Sequence, residues 1–343
     1  MRSLSLLLVL FATLSLLTGC DVHEFPDVPE NVTLRLKLHY DTDMPQWEYP
    51  ITEARSVVPS KSVQTEGGMR YIIRLYSRTR SSRSVATHEF VFTRNVADGY
   101  NAEFLLEVPS GDYTVMVWSD FTEKVDGDYR FYDAADFSQI MLQGEHEGNN
   151  DYRDAFRGLI DVSLAADISE KLPETVNIDM VRPLAKYEFV TTDVQAFIDK
   201  EVRAAMSRGE SLPEEAPSRG IDLEKYRVMI YYVGFMPDTF NMFTDKPSDS
   251  STGVSFPGRI SMLDNGEASL GFDYVFVNGV ESAVTVQVGI YDEDGNRLSM
   301  SNPVNVPLLR SKHTLLKGKF LMYNASGGVN IDVSYSGDHN IIL

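Results

Sequence analysis

The chain has 343 residues, and its 31 Lys+Arg against 50 Asp+Glu give a formal charge of −19. So acidic a surface repels phosphate backbones and anionic lipid headgroups, which argues against nucleic acid as a partner. One cysteine rules out an internal disulfide, so the core alone must hold the fold; the length is enough for two ordinary domains.

Arg2 precedes an apolar run from Leu4 to Leu17, broken only by small residues such as Ser5, Ala12 and Thr13. This is the layout of a secretory signal peptide, and the run is shorter than the roughly 20 residues a membrane-spanning helix needs. Leu17-Thr18-Gly19-Cys20 at its end resembles the bacterial lipobox. The small residues let a peptidase reach the backbone, and the thiol receives the diacylglyceryl group before cleavage. The expectation is cleavage between Gly19 and Cys20, removal of residues 1–19, and retention on the outer membrane, at the cell surface, through lipid on Cys20. Only Arg2 is lost with the leader, so −19 becomes −20. More than one acyl chain on Cys20 makes such anchoring stable.

Residues 20–30 are acidic, contain prolines and lack periodicity, as a tether from lipid to fold requires. Val32, Leu34, Leu36, Leu38 and Tyr40 then alternate with Thr33, Arg35, Lys37 and His39, the period of a half-buried strand. The span 41–68 reads as a loop or an excursion along a strand edge. Strand-like runs follow at 71–77, 88–93, 103–108 and 113–118, punctuated by Asp98-Gly99 and Pro109-Ser110-Gly111-Asp112. Such short runs between turn residues predict an antiparallel sandwich or barrel. The span 120–150 reads as polar and irregular, and 156–164 and 176–191 as extended, with Pro183 bending the second or placing it at an edge.

One amphipathic helix is predicted over 193–208, with Val194, Phe197, Ile198, Val202 and Ala205 on one face and Gly209 ending it. The loop 209–222 follows. Runs at 228–233, 268–277, 283–291, 314–322 and 329–334 then make a second set of strands, with Asp294-Gly295 as a hairpin turn. The fold class is therefore mainly β: two consecutive β-sandwich domains, over 31–185 and 186–343, with the short helix between them.

Chemistry is sparse in the pattern. The six histidines have no spacing that puts two on one metal, and HExxH, GxSxG and a glycine-rich phosphate loop are absent from the sequence. His146, within Gly144-Glu145-His146-Glu147, reads as part of a solvated loop. Asp292-Glu293-Asp294-Gly295-Asn296 has the look of a calcium loop, yet Arg297 and Val304 stand where that loop needs Gly and Glu. The acids Asp120, Glu123, Asp126, Asp128, Asp133 and Asp136 read as a negative solvated loop rather than a calcium site. Trp118 ends an alternating strand and reads as core. No metal, cofactor or catalytic residue is assigned, and paired carboxylates of a glycoside hydrolase, set by three-dimensional spacing, stay open as an alternative.

Several stretches carry a family resemblance in order: Pro109-Ser110-Gly111-Asp112-Tyr113-Thr114-Val115 with Trp118, then Val181-Arg182-Pro183-Leu184-Ala185-Lys186. Further on come Phe272-Asp273-Tyr274-Val275-Phe276-Val277-Asn278-Gly279, Val306-Pro307-Leu308-Leu309-Arg310 and Leu316-Lys317-Gly318-Lys319-Phe320-Leu321. Together they resemble the fimbrial anchor and minor-subunit lipoproteins of Bacteroidetes, the FimB-like group of type V pili. The resemblance implies transthyretin-like sandwiches, no enzymatic activity, and pilin-like partner subunits joined by strand addition. For that joining, the C-terminal stretch offers Val329, Ile331, Val333 and Tyr335, which alternate, and the apolar end Ile341-Ile342-Leu343. The same stretch reads equally as the last strand of its own sandwich. A surface glycan-binding lipoprotein of a polysaccharide-uptake system is the alternative of a different class.

Overall fold

The computed structural model describes residues 31–49, 66–79, 85–125, 131–165, 173–209 and 221–322. Strands are numbered in chain order. Because Leu34, Leu36 and Leu38 all point one way, β1 (Asn31–Tyr40) buries the middle of one face and leaves Arg35 and Lys37 of the other partly exposed. It sits at the centre of a three-stranded sheet, antiparallel to β5 (Ala102–Pro109) and parallel to β10 (Glu174–Met180). Facing it is an antiparallel sheet in the order β4 (His88–Asn95), β3 (Gly68–Ser77), β6 (Gly111–Thr122), β9 (Ala155–Leu164). Leu34, Leu36, Phe104, Ile73, Val115 and Phe156 are among the side chains that fill the space between the two. At Gly158 the sheets approach so closely that a Cβ would lie 2.4 Å from Ile178 and 2.6 Å from the Met180 sulfur.

The second sandwich pairs two five-stranded sheets. One runs β16 (Ser261–Met262), β17 (Ala268–Phe276), β11 (Leu184–Thr191), β21 (His313–Gly318), β2 (Gln46–Tyr49). The other runs β15 (Ser255–Gly258), β12 (Arg227–Tyr232), β18 (Glu281–Tyr291), β19 (Arg297–Met300), with β20 (Val304–Leu309) also on β18. The helix α1 (Val194–Ser207) caps their core with Val194, Phe197, Ile198 and Ala205, and Phe197 meets the Tyr226 ring edge-on at 4.9 Å. The hairpin predicted at Asp294-Gly295 joins β18 to β19. Pairing is mostly antiparallel as expected, but β1 with β10, β11 with β21 and β21 with β2 are parallel.

Three sequence expectations change. The span 41–68 contains β2, which leaves the first sandwich immediately after β1 and adds an edge strand to the second. The run 176–191 is two strands, because Pro183 lacks an amide donor and falls where the chain passes from one sandwich to the other. Within the span 120–150, of which 126–130 with Asp126 and Asp128 lie outside the described residues, Glu123 and Asp136 are exposed as expected, but β7 (Tyr132–Asp133) and β8 (Ile140–Leu142) form and continue into a sheet with β13 (Met236–Asn241) and β14 (Lys246–Ser251) of the second half. That shared sheet covers the outer face of β3 and β6, which explains why nearly every β3 residue is buried on both faces. Phe131, Tyr132, Phe137, Ile140, Phe240 and Trp118 make a third core there, with Trp118 fully buried as its strand position predicted.

Aromatic pairs tighten this third core. Phe240 stacks on Phe276 at 5.3 Å, and Trp118 meets Tyr132 edge-on at 5.5 Å; such pairs contribute about 0.5–1.5 kcal/mol beyond their burial. Phe240→Ala therefore lowers unfolding stability in urea by about 3–5 kcal/mol, the range for emptying a buried aromatic site. Leu105→Ala, at a side chain 59% exposed on β5, stays within about 0.5 kcal/mol.

Candidate functional site

Where the two sandwiches meet, charged groups are buried along with the aromatics. Arg182, in the link between β10 and β11, has no exposed surface. Its Nε donates to both oxygens of Asp154, at 2.9 and 2.8 Å, and its terminal nitrogens donate to the carbonyls of Asp41, Thr42 and Asp43 at 3.1–3.2 Å. The guanidinium lies 4.6 Å from the Phe156 ring centre. One side chain thereby ties together the end of β1, the start of β9 and the crossing into the second sandwich. Asp154 sits above the usual carboxylate range because burial outweighs the pull of Arg182.

A second buried pair joins the halves directly. Arg153, just before β9, donates from Nη1 to Asp273 Oδ1 on β17 at 2.7 Å and to the Glu147 carbonyl at 2.8 Å. His146 Nε2 lies 2.7 Å from Asp273 Oδ2, which also accepts from Tyr232 at 2.6 Å, while the Tyr187 hydroxyl donates to Tyr232 at 3.0 Å. Burial pushes the Asp273 carboxyl up, but Arg153 and His146 more than offset it and hold it below its ordinary value. Nearby, Lys186 on β11 pairs with Asp151 at 2.7 Å and lies 3.7 Å from the centre of the Phe272 ring. Asp245, in the β13–β14 turn, accepts from Arg157 of the first sandwich and Arg310 of the second at 2.6 and 2.8 Å.

Beside the Arg153 pair an open cleft of about 530 Å³ separates residues 142–147 from the strands β13 and β14 and the loop after them. Glu145, Glu147, Asp238, Ser251 and Thr252 supply polar groups, and Leu142, Met236 and Val254 supply apolar ones. His146, expected in a solvated loop, lines this cleft with a side chain only 10% exposed. Asp120, counted among the solvated acids, is buried and accepts from Arg70 Nε at 2.7 Å and Trp118 Nε1 at 3.0 Å. Among the described residues no cluster of His, Cys, Asp and Glu is arranged to hold a metal, and no helix is long and apolar enough to cross a membrane.

The residues singled out for anchoring and joining, Gly19, Cys20, Val329, Ile331, Val333, Tyr335, Ile341, Ile342 and Leu343, lie outside the described residues. What is described is where the chain leaves for each. Asn31 pairs with Pro109 at the end of β1 opposite the Arg182 clamp. At the other terminus the amides of Leu321 and Met322 donate to the Asp193 carboxylate at 3.3 and 2.9 Å, beside Thr191 at the end of β11 away from Leu184. Both ends of the fold thus leave from points remote from the junction, and both are held. Sequence pattern did not single out Arg153 or Asp154 and marked Asp193 only as the start of the helix, whereas Arg182, Lys186, Phe272, Asp273 and Arg310 stood in the ordered landmarks.

A family model described as "Family of unknown function (DUF6562)" matches residues 28–343. No curated protein matches the chain. Similar solved structures include a protein of Bacteroides thetaiotaomicron provisionally described as polysaccharide-binding, 12% identical with a TM-score of 0.42 over 78% of this chain and 79% of that one. A second protein of that organism, provisionally described as an adhesin, is 10% identical with a TM-score of 0.43 over 87% and 95%. The fimbrial anchor protein Mfa2 of Porphyromonas gingivalis is 11% identical with a TM-score of 0.40 over 78% and 82%. At these values a likeness has no weight for function.

Arg182→Met leaves the buried Asp154 carboxyl without its cation and main donor, so urea denaturation gives a loss of about 3–5 kcal/mol. Arg182→Lys recovers little of it, since one ammonium lacks the planar fork that spans these acceptors. Arg182→Met with Asp154→Leu is less damaging than the single change.

His313 on β21 supplies a pH test. Burial lowers its pKa from the ordinary 6.5, despite Glu188 Oε2 lying 3.1 Å away. The unfolded chain therefore binds more protons than the folded one between that lowered value and 6.5, and stability falls as pH drops through this window. In urea titrations across it, wild type loses stability relative to His313→Gln.

Proposed function

We propose, for a chain that belongs to the DUF6562 family of unknown function, that it is a non-enzymatic, lipid-anchored surface protein acting as a fimbrial anchor or accessory subunit. In this reading it is held in the outer membrane by lipid on Cys20 and joined to pilin-like partners by strand addition through 329–343. The domains are the tether 20–30, a first sandwich over 31–185 and a second over 186–343.

The observation that carries the reading is the placement of the two exits. The tether from Cys20 enters at Asn31, at the end of β1 away from the junction, and the C-terminal stretch departs from Met322, pinned on Asp193. Any pull between a membrane and a partner held by that stretch must then pass through both sandwiches and the junction. The sole cysteine, placed after Leu17-Thr18-Gly19, supports the lipid step. The alternation Val329, Ile331, Val333 and Tyr335 supports an extended segment able to complete a neighbour's sheet, with main-chain hydrogen bonds giving affinity.

Cell fractionation tests both halves. Cys20→Ala moves the protein from membranes to the soluble fraction while its urea midpoint is unchanged; retention on membranes contradicts the lipid step. Affinity purification of the wild type under mild conditions recovers a pilin-like subunit, and a chain lacking 329–343 stays on membranes without it. Recovery of the same subunit by the truncated chain removes strand addition through 329–343 from the proposal.

A further inference from the structure

Two Asn-Gly pairs occur in the chain, Asn265-Gly266 and Asn278-Gly279, and the fold treats them differently. In such a pair the glycine has no side chain to shield its amide nitrogen, which can reach the asparagine side-chain carbonyl carbon. Attack forms a bond from that nitrogen to Cγ and expels the side-chain nitrogen as ammonia, which carries off the amide proton. Water then opens the five-membered imide at either carbonyl. One opening leaves aspartate, and the other leaves isoaspartate, whose main chain is longer by one methylene. The reaction needs water, an asparagine side chain free to turn and a glycine N–H free of a partner.

Asn265-Gly266 lacks both freedoms. It lies in the tight connection between β16 and β17, where the Gly266 N–H donates to the Leu263 carbonyl at 3.1 Å. Asn265 Oδ1 accepts from the Glu267 amide at 3.1 Å, and Asn265 Nδ2 donates to Glu267 Oε2 at 2.8 Å. Asn278-Gly279 closes one of the sequence landmarks and turns the chain from β17 into β18. Both residues are partly exposed, and among the described residues nothing bonds the Asn278 side chain or the Gly279 N–H. Gly279 sits at φ +78°, with no atom within 4 Å of where a Cβ would stand, which leaves room for the imide and for water.

The same turn grips the junction between the sandwiches. The Val277 carbonyl accepts from Arg310 Nη2 at 3.0 Å and the Val280 carbonyl from the Arg310 main-chain amide at 2.9 Å, so Asn278 and Gly279 lie between the two contacts. Arg310 in turn holds Asp245, which Arg157 of the first sandwich also holds. We propose that Asn278 is a site of spontaneous deamidation in the folded protein, and that its isoaspartate form loosens the Arg310–Asp245–Arg157 bridge between the sandwiches. The added methylene separates two carbonyls that one arginine holds at a fixed spacing, and the new carboxylate adds a negative charge. Neither lipid nor a partner subunit takes part in this chemistry.

The full chain is aged at neutral pH, folded in one arm and unfolded in guanidinium chloride in the other, and sampled over weeks. Peptide mapping follows the gain of one mass unit at each pair, and isoaspartyl methyltransferase labelling identifies isoaspartate. In the folded chain the gain at Asn278 is at least tenfold faster than at Asn265, where three hydrogen bonds must break before attack. In the unfolded chain the two rates converge. Aged wild type rich in isoaspartate unfolds at a lower urea midpoint than fresh protein, while Asn278→Ser neither gains mass at 278 nor loses midpoint on ageing. No gain at Asn278 in the folded chain, or a gain no faster than at Asn265, overturns the site. An unchanged midpoint in chains carrying isoaspartate at 278, or an equal loss in aged Asn278→Ser, overturns its effect on the bridge.

Discussion

Arg182 is the group on which the arrangement of the two halves depends. A guanidinium with no exposed surface has lost its hydration, a cost of several kcal/mol that only partners can offset. Its partners come from two separate stretches: the carboxylate of Asp154 with the face of Phe156 at the start of β9, and the three successive carbonyls Asp41–Asp43. Since two distant pieces of chain supply acceptors to one cation, neither can shift without exposing the cation to an apolar surrounding. The position after β10 is also where Pro183 prevents the strand from continuing in the same sheet. One residue ends the first sandwich and its neighbour fastens that ending.

Around this clamp the junction mixes two kinds of adhesion. The aromatic core of Trp118, Tyr132, Phe240 and Phe276 supplies burial, which is strong but indifferent to orientation. The pairs Arg153–Asp273 and Asp245 with its two arginines add little net stability over apolar residues, yet each forms in one geometry only. Burial holds the halves together, and the ion pairs fix how they meet. The excursion of β2 and the sheet shared by β7, β8, β13 and β14 add main-chain hydrogen bonds across the same boundary. The junction is consequently a continuation of both folds and differs from the loose contact usual between tandem domains.

Legibility in the sequence followed periodicity. The strand β1 was plain because Leu34, Leu36 and Leu38 alternate with charges, and the helix because Val194, Phe197 and Ile198 share a face. The span 120–150 was misread because its acids dominate its composition, while the side chains that matter, Phe131, Tyr132, Phe137 and Ile140, are spaced irregularly. They pack on a sheet face that local pattern cannot foresee, the outer face of β3 and β6. Tyr71, Ile72 and Ile73 in succession were the one local sign that β3 is covered on both sides. His146 and Asp120 were misassigned for a related reason: their partners Asp273 and Arg70 lie 127 and 50 residues away. The quoted landmarks Arg182-Pro183 and Phe272-Asp273 turn out to sit on the junction, so their order along the chain carried three-dimensional information that their composition did not.

The proposed anchoring role places a mechanical demand on this architecture, and strand geometry bears on how it is met. Tension entering at Asn31 runs along β1, whose hydrogen bonds to β5 and β10 lie across the direction of pull. Those bonds are loaded together, unlike the bonds of a hairpin peeled from its end, which fail one by one. At the far end of β1 the chain meets the Arg182 clamp and then β2, which lies parallel beside β21 in the second sandwich. Force in that reading passes into the second sandwich through an edge strand of its sheet as well as through the β10–β11 link. The β1–β2 and β10–β11 crossings share what a single flexible linker would carry alone. With one cysteine and so no internal disulfide, that division between β2 and the Arg182-held link is what the proposed role would use to carry a load through sheets alone.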